Sequence, residues 1–207
     1  MNPIDERLFA PATERNRELI LAVLKEFLPT SGLVLEIASG TGEHISYFAP
    51  RLSPNLRWQP SDFETYKLAS ITAWCRFLDT TNVQPPLQID VTAKNWGLDR
   101  VNAILATNLI HIAPWSACCG LLAGAGRLLP IGGILYLYGP FKRDGKHTAP
   151  SNEAFDQMLK SENSAWGVRD LEIVIAEAKQ HSLVIEKLIP MPANNFSVIF
   201  RRQPISG

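Results

Sequence analysis

The hydrophobic positions of this chain change period several times, and each change marks an element. Leu19, Ile20, Val23, Leu24 and Phe27 recur at helical spacing, with Thr13 placed as N-cap and Pro29 as a stop, so a helix is expected over about 13–28. "LVLEI", Leu33 to Ile37, is a short apolar run that reads as a buried strand. After Gly40 and Gly42 the period returns to helical at Ile45, Phe48, Ala49 and Leu52, and Pro54 ends that helix before a second strand at "LRWQ", with Asp62 just beyond it. Leu68, Ile71, Cys75 and Leu78 mark the next helix, "PLQID" and "VNAILAT" two strands, "WSACCGLLAGAGRLL" a helix and "GILYLYG" a fifth strand. A long segment from Gly139 to Gly167 follows, in which Ser151 reads as the N-cap of a helix carrying Phe155, Met158 and Leu159. The chain then gives a helix with Leu171, Val174, Ile175 and Ala178, and two strands, "LVIEKLI" and "FSVIFRR".

Near-continuously apolar strands alternating with helices call for a parallel sheet covered on both faces. The last two strands are joined only by "PMPANN" or so, too short for a parallel crossover, so they should pair antiparallel at one edge. The expected architecture is α/β: a Rossmann-like, doubly wound, seven-stranded sheet, mostly parallel with an antiparallel last strand, on a single domain spanning 1–207. At 207 residues and 46% hydrophobic composition the chain can bury one substantial core.

Charge removes some function classes. Twenty basic and twenty acidic side chains cancel and interleave without a basic stripe, so nucleic acid is not an expected partner. No apolar run reaches the roughly 20 residues that span a bilayer, and no basic-then-apolar leader opens the chain, so no membrane partner and a cytoplasmic location are expected. Cys75, Cys118 and Cys119 form no CxxC pair and meet no clustered histidines; they read as small apolar filler, with no metal site.

The stretch "LEIASGTGEH" crosses from strand to helix, the place where nucleoside cofactors lie in such sheets. A dinucleotide fingerprint G-x-G-x-x-G counted from Gly40 and Gly42 would need a third glycine where Ile45 stands. The stretch is closer to acidic-x-G-x-G-x-G, with Glu36, Ala38 in place of the first glycine, Gly40 and Gly42. With the antiparallel finishing hairpin, it resembles the class I methyltransferases. The likeness runs on through "ERN" (Glu14 to Asn16), "WQPSD" (Trp58 to Asp62), "NLIHIAPW" (Asn108 to Trp115), "YGPF" (Tyr138 to Phe141), "WGVRD" (Trp166 to Asp170) and "MPANN" (Met191 to Asn195). These stretches together resemble an uncharacterised methyltransferase-like family known only as a domain of unknown function.

That resemblance implies S-adenosyl-L-methionine as cofactor. Glu36 would organise the turn and receive the ammonium, directly or through water, while Ser39, Gly40, Thr41 and Gly42 let the backbone approach the amino acid portion. Asp62 would accept the ribose hydroxyls. Asp90 would accept from the adenine amine while the Val91 amide meets a ring nitrogen; otherwise Asp90 caps a following helix. Arg15 reads either as a partner for the cofactor carboxylate or as part of a solvated face.

Methyl transfer needs in-line positioning, and a base where the acceptor carries a proton. Asn108 and His111 leave the fourth strand where the methyl should point: His111 as general base, or as donor to a loop carbonyl, and Asn108 orienting substrate or cofactor. Tyr138 reads equally as a substrate contact and as a buried tyrosine bonded to backbone. Arg169 either holds an anionic substrate group or pairs with Asp170, a helix N-cap; Asn194 and Asn195 suit a tight turn, with Asn195 also a candidate substrate contact. Lys142, Arg143, Lys146 and His147 cluster in the polar segment over about 139–152, which reads as a lid suited to an anionic substrate or as a solvated loop. "TNLI" lacks the paired prolines and aromatic of the adenine amino-methyltransferase motif, which argues against a flipped base as acceptor. The functional expectation is methyl transfer to an unidentified small-molecule acceptor. The alternatives are a cofactor-binding protein without turnover and an NAD(P)-dependent oxidoreductase.

Overall fold

A computed structural model describes residues 5–204. The chain divides into two compact units, one of residues up to Asp90 with Val101–Leu105, the other of Val91–Arg100 and the residues from Ala106 onward. The first unit holds α1 (Pro11–Phe27), β1 (Gly32–Ile37), α2 (Glu43–Phe48), β2 (Leu56–Asp62), α3 (Thr65–Phe77), β3 (Leu87–Gln88) and the start of β4 (Ala103–Thr107). The second holds the end of β4, then α4 (Trp115–Leu128), β5 (Ile134–Arg143), β6 (Lys146–His147), α5 (Pro150–Glu162), β7 (Arg169–Asp170), α6 (Leu171–Gln180), β8 (Leu183–Met191) and β9 (Asn195–Arg202).

The strand order is β3-β2-β1-β4 in the first unit and β4-β5-β9-β8 in the second. β1 pairs parallel with β2 from Gly32↔Leu56 to Glu36↔Pro60, a register that brings the ends of both strands together. β9 runs antiparallel to both β5 and β8, as the short link between the last strands requires. All seven expected strands are present, and two more, β6 and β7, pair with the end of β5, making nine among the described residues. The first unit's core is built on Ile20, Leu24, Val34, Leu35, Phe48, Trp58 and Ile71; the second's on Leu121, Leu122, Leu135, Tyr136, Phe141 and Phe200. Each such side chain contributes about 1.5–3 kcal/mol on burial.

Several boundaries differ from expectation. α1 starts at Pro11 with Ala10 as N-cap, and Thr13 lies buried inside the first turn, its N–H bonded to the Ala10 carbonyl at 2.9 Å. α5 likewise starts at Pro150 after Ala149, so Ser151 is not its cap. In both helices proline occupies the first turn, where its fixed φ suits the helix and its missing N–H leaves nothing unsatisfied. Asp90 caps no helix, because residues 91–100 form turns and bends. Asp170 does cap α6, accepting from the Ile173 amide at 3.3 Å.

β5 does not stop at Gly139 but continues to Arg143, and Asp144 and Gly145 (φ 49° and 73°) turn the chain back into β6. Two left-handed residues in succession are what a tight hairpin needs, and Asp-Gly is the usual pair for it. Much of the polar segment expected as a loop is therefore strand and helix.

One glycine sets the spacing around the turn after β1. A Cβ on Gly42 would lie 2.6 Å from the Ile71 Cα, and its φ of 91° is one that side-chain-bearing residues rarely adopt. Gly42→Ala is expected to destabilise the fold by at least about 2 kcal/mol, seen as a lower urea midpoint. Gly97→Ala, at φ 73° with nothing within 4 Å, should cost only about 1 kcal/mol.

Candidate functional site

In the first unit the chain leaves β1 through Ala38, Gly40 and Gly42, with φ of 55°, 59° and 91°. Ala38 thus adopts the left-handed backbone that glycine would take without strain, at a cost of about 1–2 kcal/mol. Hydrogen bonds hold it there. Ser39 N–H donates to Ser61 O (2.8 Å), Ser61 Oγ to Glu36 O (2.7 Å), and Gly40 N–H to Asp62 Oδ2 (2.8 Å). Asp62, 3% exposed, also accepts from the Glu64 amide through Oδ1 at 3.0 Å, with Lys67 Nζ 3.8 Å away.

Glu36, the last residue but one of β1, is 1% exposed, and its Oε2 is buried with no hydrogen-bond partner among the described residues. Burial raises its carboxyl from the ordinary 4.5 to about 7; a Ser39 hydrogen bond opposes the rise and the Asp62 charge adds to it. A carboxyl so placed is short of one cationic or hydrogen-bonding partner.

Around the turn, Thr41 donates its hydroxyl to Glu43 Oε2 at 2.8 Å, and its carbonyl accepts from Ser70 Oγ at 2.7 Å. Arg15 lies on the exposed face of α1. Its neighbour Asn16 is buried and meets His44 of α2, Oδ1 to Nε2, at 2.8 Å. Burial and the Arg17 charge pull His44 down to about 4, so the ring is neutral. The sequence reading passed over this pair, although Asn16, Ile20 and Leu24 fall on one helical stripe and a polar residue in an apolar stripe signals a buried partner. Asp90 is exposed and Val91 buried.

In the second unit Asn108 leaves β4 with φ 57°, and its amide donates to the Tyr138 carbonyl at 2.8 Å. His111 is 1% exposed, its carbonyl accepting from the Gly167 amide at 3.0 Å and its ring edge-on to Phe155 at 5.7 Å. A Cβ on Gly139 would lie 2.5 Å from His111 Cε1, so glycine there is what admits the ring. His111 Nδ1 is buried without a partner, and burial, with the Arg169 charge second, lowers the ring to about 3. Tyr138 is 6% exposed.

Arg169 spends its guanidinium on backbone: Nε on Ile110 O (2.9 Å), Nη2 on Ala113 O (2.5 Å) and Ala165 O (2.9 Å). It therefore holds the segment around His111 in place, while Asp170 turns to the Gly145 amide at 2.6 Å. Asn194 has the left-handed φ of 57° expected of it; Asn195 lies in β9 and donates to Pro192 O at 3.2 Å. Three of the four clustered basic residues face acids: Lys142 and His147 lie 3.6 and 3.3 Å from Asp156, and Arg143 is 2.8 Å from Glu172. Lys146 is exposed.

The fold that carries these residues is shared with solved structures of methyltransferases. The structure matches an O-methyltransferase family protein from Burkholderia thailandensis with a TM-score of 0.79 at 14% identity, over 94% of this chain and 58% of that one. An O-methyltransferase-like structure from Nostoc punctiforme matches with a TM-score of 0.79 at 16% identity, over 92% and 57% of the two chains. An O-methyltransferase family 2 protein from Planctomyces limnophilus, solved in complex with apigenin, matches at 0.72 and 17% identity, over 91% and 61%. The chain thus spans a little over half the length of these structures, and at such identities the likeness is one of fold. The chain belongs to the family described as "Protein of unknown function (DUF938)", whose profile matches residues 7–202.

Glu36 gives the site a pH signature. Its proton is held more tightly in the folded state (about 7) than in the unfolded state (4.5), so its contribution to stability is present at pH 4.5 and lost as pH rises through 7. Urea unfolding between pH 4.5 and 8 should therefore show Glu36→Gln gaining on the wild type as pH rises. Parallel curves for the two proteins would contradict this. His44 and His111 act in the opposite sense, withdrawing stability as pH falls below 6.5 in both proteins, and so cancel in the comparison.

Proposed function

We propose that this protein is a methyltransferase that uses S-adenosyl-L-methionine to methylate a small-molecule acceptor, on a single domain, in the cytoplasm. The observation that carries the reading is Glu36: a wholly buried carboxyl with one unpartnered oxygen beside a turn of three left-handed residues. The donor set fits the cofactor. An ammonium supplies the missing partner of Glu36 Oε2, the backbone of Ser39 to Gly42 faces the amino acid portion, and Asp62 serves the ribose with the acceptor capacity left beside its two amide bonds. In this reading Asp90 and Val91 serve the adenine, and Arg15 the carboxylate.

When bound, the cofactor supplies an electrophilic methyl group on a cationic sulfur. In this reading His111 and its neighbours have the task of orienting the acceptor. We assign His111 as a neutral hydrogen-bonding group, since its lowered basicity leaves the ring uncharged and its Nδ1 without a partner. Asn108 and Tyr138 complete this group, with Asn195 as a further acceptor contact, and Arg169 holds the backbone on which His111 sits. Lys142 shares Asp156 with Lys160, and Arg143 is paired with Glu172, so these cations are engaged within the protein, which favours an acceptor that needs no anion-binding lid. The apigenin bound to one fold relative supports a small-molecule acceptor. A nicotinamide reading is disfavoured because the position of the third fingerprint glycine is Ile45, fully buried.

Thermal unfolding with S-adenosylmethionine, S-adenosylhomocysteine, NADH and NADPH in parallel tests the cofactor. Either sulfur compound at 100 times its dissociation constant should stabilise the fold by about 2.7 kcal/mol. A shift with the nicotinamides alone would overturn the proposal.

A further inference from the structure

Ahead of α1, residues Asp5 to Ala10 run as an extended strap that makes specific bonds although Leu8 and Phe9 are 41% and 64% exposed. Arg7 is gripped by Asp5 through two hydrogen bonds (2.9 and 2.8 Å), and its guanidinium lies 3.7 Å over the Phe77 ring and 5.0 Å over Trp74. Trp74 Nε1 donates to Leu8 O at 2.8 Å. Two further bonds lead inward. The Leu8 amide donates to Ser70 Oγ at 2.8 Å, and the Ala10 amide to Glu43 Oε2 at 2.6 Å.

Ser70 and Glu43 are the same two side chains that hold Thr41 in the glycine turn. Ser70 Oγ donates its single hydrogen to the Thr41 carbonyl (2.7 Å), so it accepts the Leu8 amide on a lone pair. The result is a polarised chain from strap through hydroxyl to turn, each bond strengthening the next. Glu43 Oε2 takes the Thr41 hydroxyl at 2.8 Å beside the Ala10 amide. Ser70 is fully buried and Glu43 is 8% exposed, so neither bond is diluted by bulk water. Gly42 brings the α3 backbone at Ile71, next to Ser70, against the turn. The side chains of Leu8 and Phe9 stay largely outside the core, and α1 opens with Pro11 directly after the strap. A segment held by exposed rings and a few hydrogen bonds belongs among the parts of a protein that open first.

We propose that Ser70 and Glu43 are positioning residues that couple the strap to the cofactor turn. With the strap docked, Thr41 is fixed from both its carbonyl and its hydroxyl, and the neighbouring Gly40 amide and Glu36 carboxyl keep the spacing a ligand requires. With the strap released, both anchors lose a partner and the turn loosens. The inference rests on the reading of that turn as the cofactor cradle. Coupling of this kind is reciprocal: whatever the strap adds to ligand affinity, the ligand adds to strap docking.

The test is calorimetric binding of S-adenosylhomocysteine to the wild type, Arg7→Ala, Arg7→Lys and Ser70→Ala, with hydrogen exchange at the Leu8 and Ala10 amides in the wild type. Arg7→Ala and Ser70→Ala are expected to bind about tenfold more weakly. Arg7→Lys, which keeps a cation over the rings but loses the forked bond to Asp5, should recover only part of the loss, and ligand should slow exchange at both amides. A merely structural strap would lower the melting temperature of the variants yet leave their affinity and the liganded exchange rates as they were, and that result overturns the proposal. Arg7→Ala alone decides the matter should Ser70→Ala fail to fold, since the partners of Arg7 among the described residues are Asp5 and Phe9 of the strap and Trp74 and Phe77 of α3. Failure of the wild type itself to bind overturns the cofactor reading and the strap with it; normal binding by every variant overturns the strap alone.

Discussion

The hydrogen bond from the Gly40 amide to the Asp62 carboxylate joins the loop after β1 to the end of β2, and the first unit's site depends on it. Parallel pairing of β1 with β2 brings these strand ends together, but leaves the backbone after Ile37 to reverse direction in a few residues. It does so through three left-handed positions, one of them an alanine. That strain persists because Ser39, Gly40 and Ser61 are each bonded across the two strand ends, so relaxing Ala38 would break several buried bonds to relieve one residue. With the loop fixed, Glu36 cannot turn to water, and its carboxyl stays buried with an oxygen unpaired.

The second unit follows a different logic. A histidine is enclosed by a bare glycine, an edge-on phenylalanine and a backbone held by one arginine. Arginine suits this work because its planar fork reaches three carbonyls at once. Burial is the main cause of the ring's lowered basicity, and the same cation adds to it. The neighbouring basic residues meet acids of α5 and α6, Lys142 and Lys160 sharing Asp156 and Arg143 pairing with Glu172, which ties the hairpin to those helices.

The alternation of period was enough to place every main strand and helix, because apolar runs bounded by glycine and proline are set by local physics. The helix starts were misread where Thr13 and Ser151 outranked the prolines just before them. A proline in the first turn fixes the entry of the chain more firmly than a hydroxyl that finds no orphan amide. The Asp144-Gly145 turn was legible but was submerged in a polar segment. The places of Glu36 and the glycines at the turn after β1, and of Asp62 at the end of β2, could be read because apolar runs bounded by glycine and proline mark the strand ends. The identity of His44 as the partner of Asn16, the inward-facing charges around Asp156 and the duties of Arg169 could not, since each joins residues far apart in sequence through geometry that no spacing encodes.

The central claim is that Glu36 awaits a ligand's ammonium, and proton release on binding measures this directly. At pH 6 the free protein holds Glu36 mostly neutral, its carboxyl being raised to about 7, and an ammonium against it should drive it to ionise. Titration with S-adenosylhomocysteine in buffers of differing ionisation enthalpy is predicted to show release of up to about one proton per ligand, while 5′-methylthioadenosine, which lacks the ammonium, should release almost none. Binding of both compounds without proton release would contradict the account.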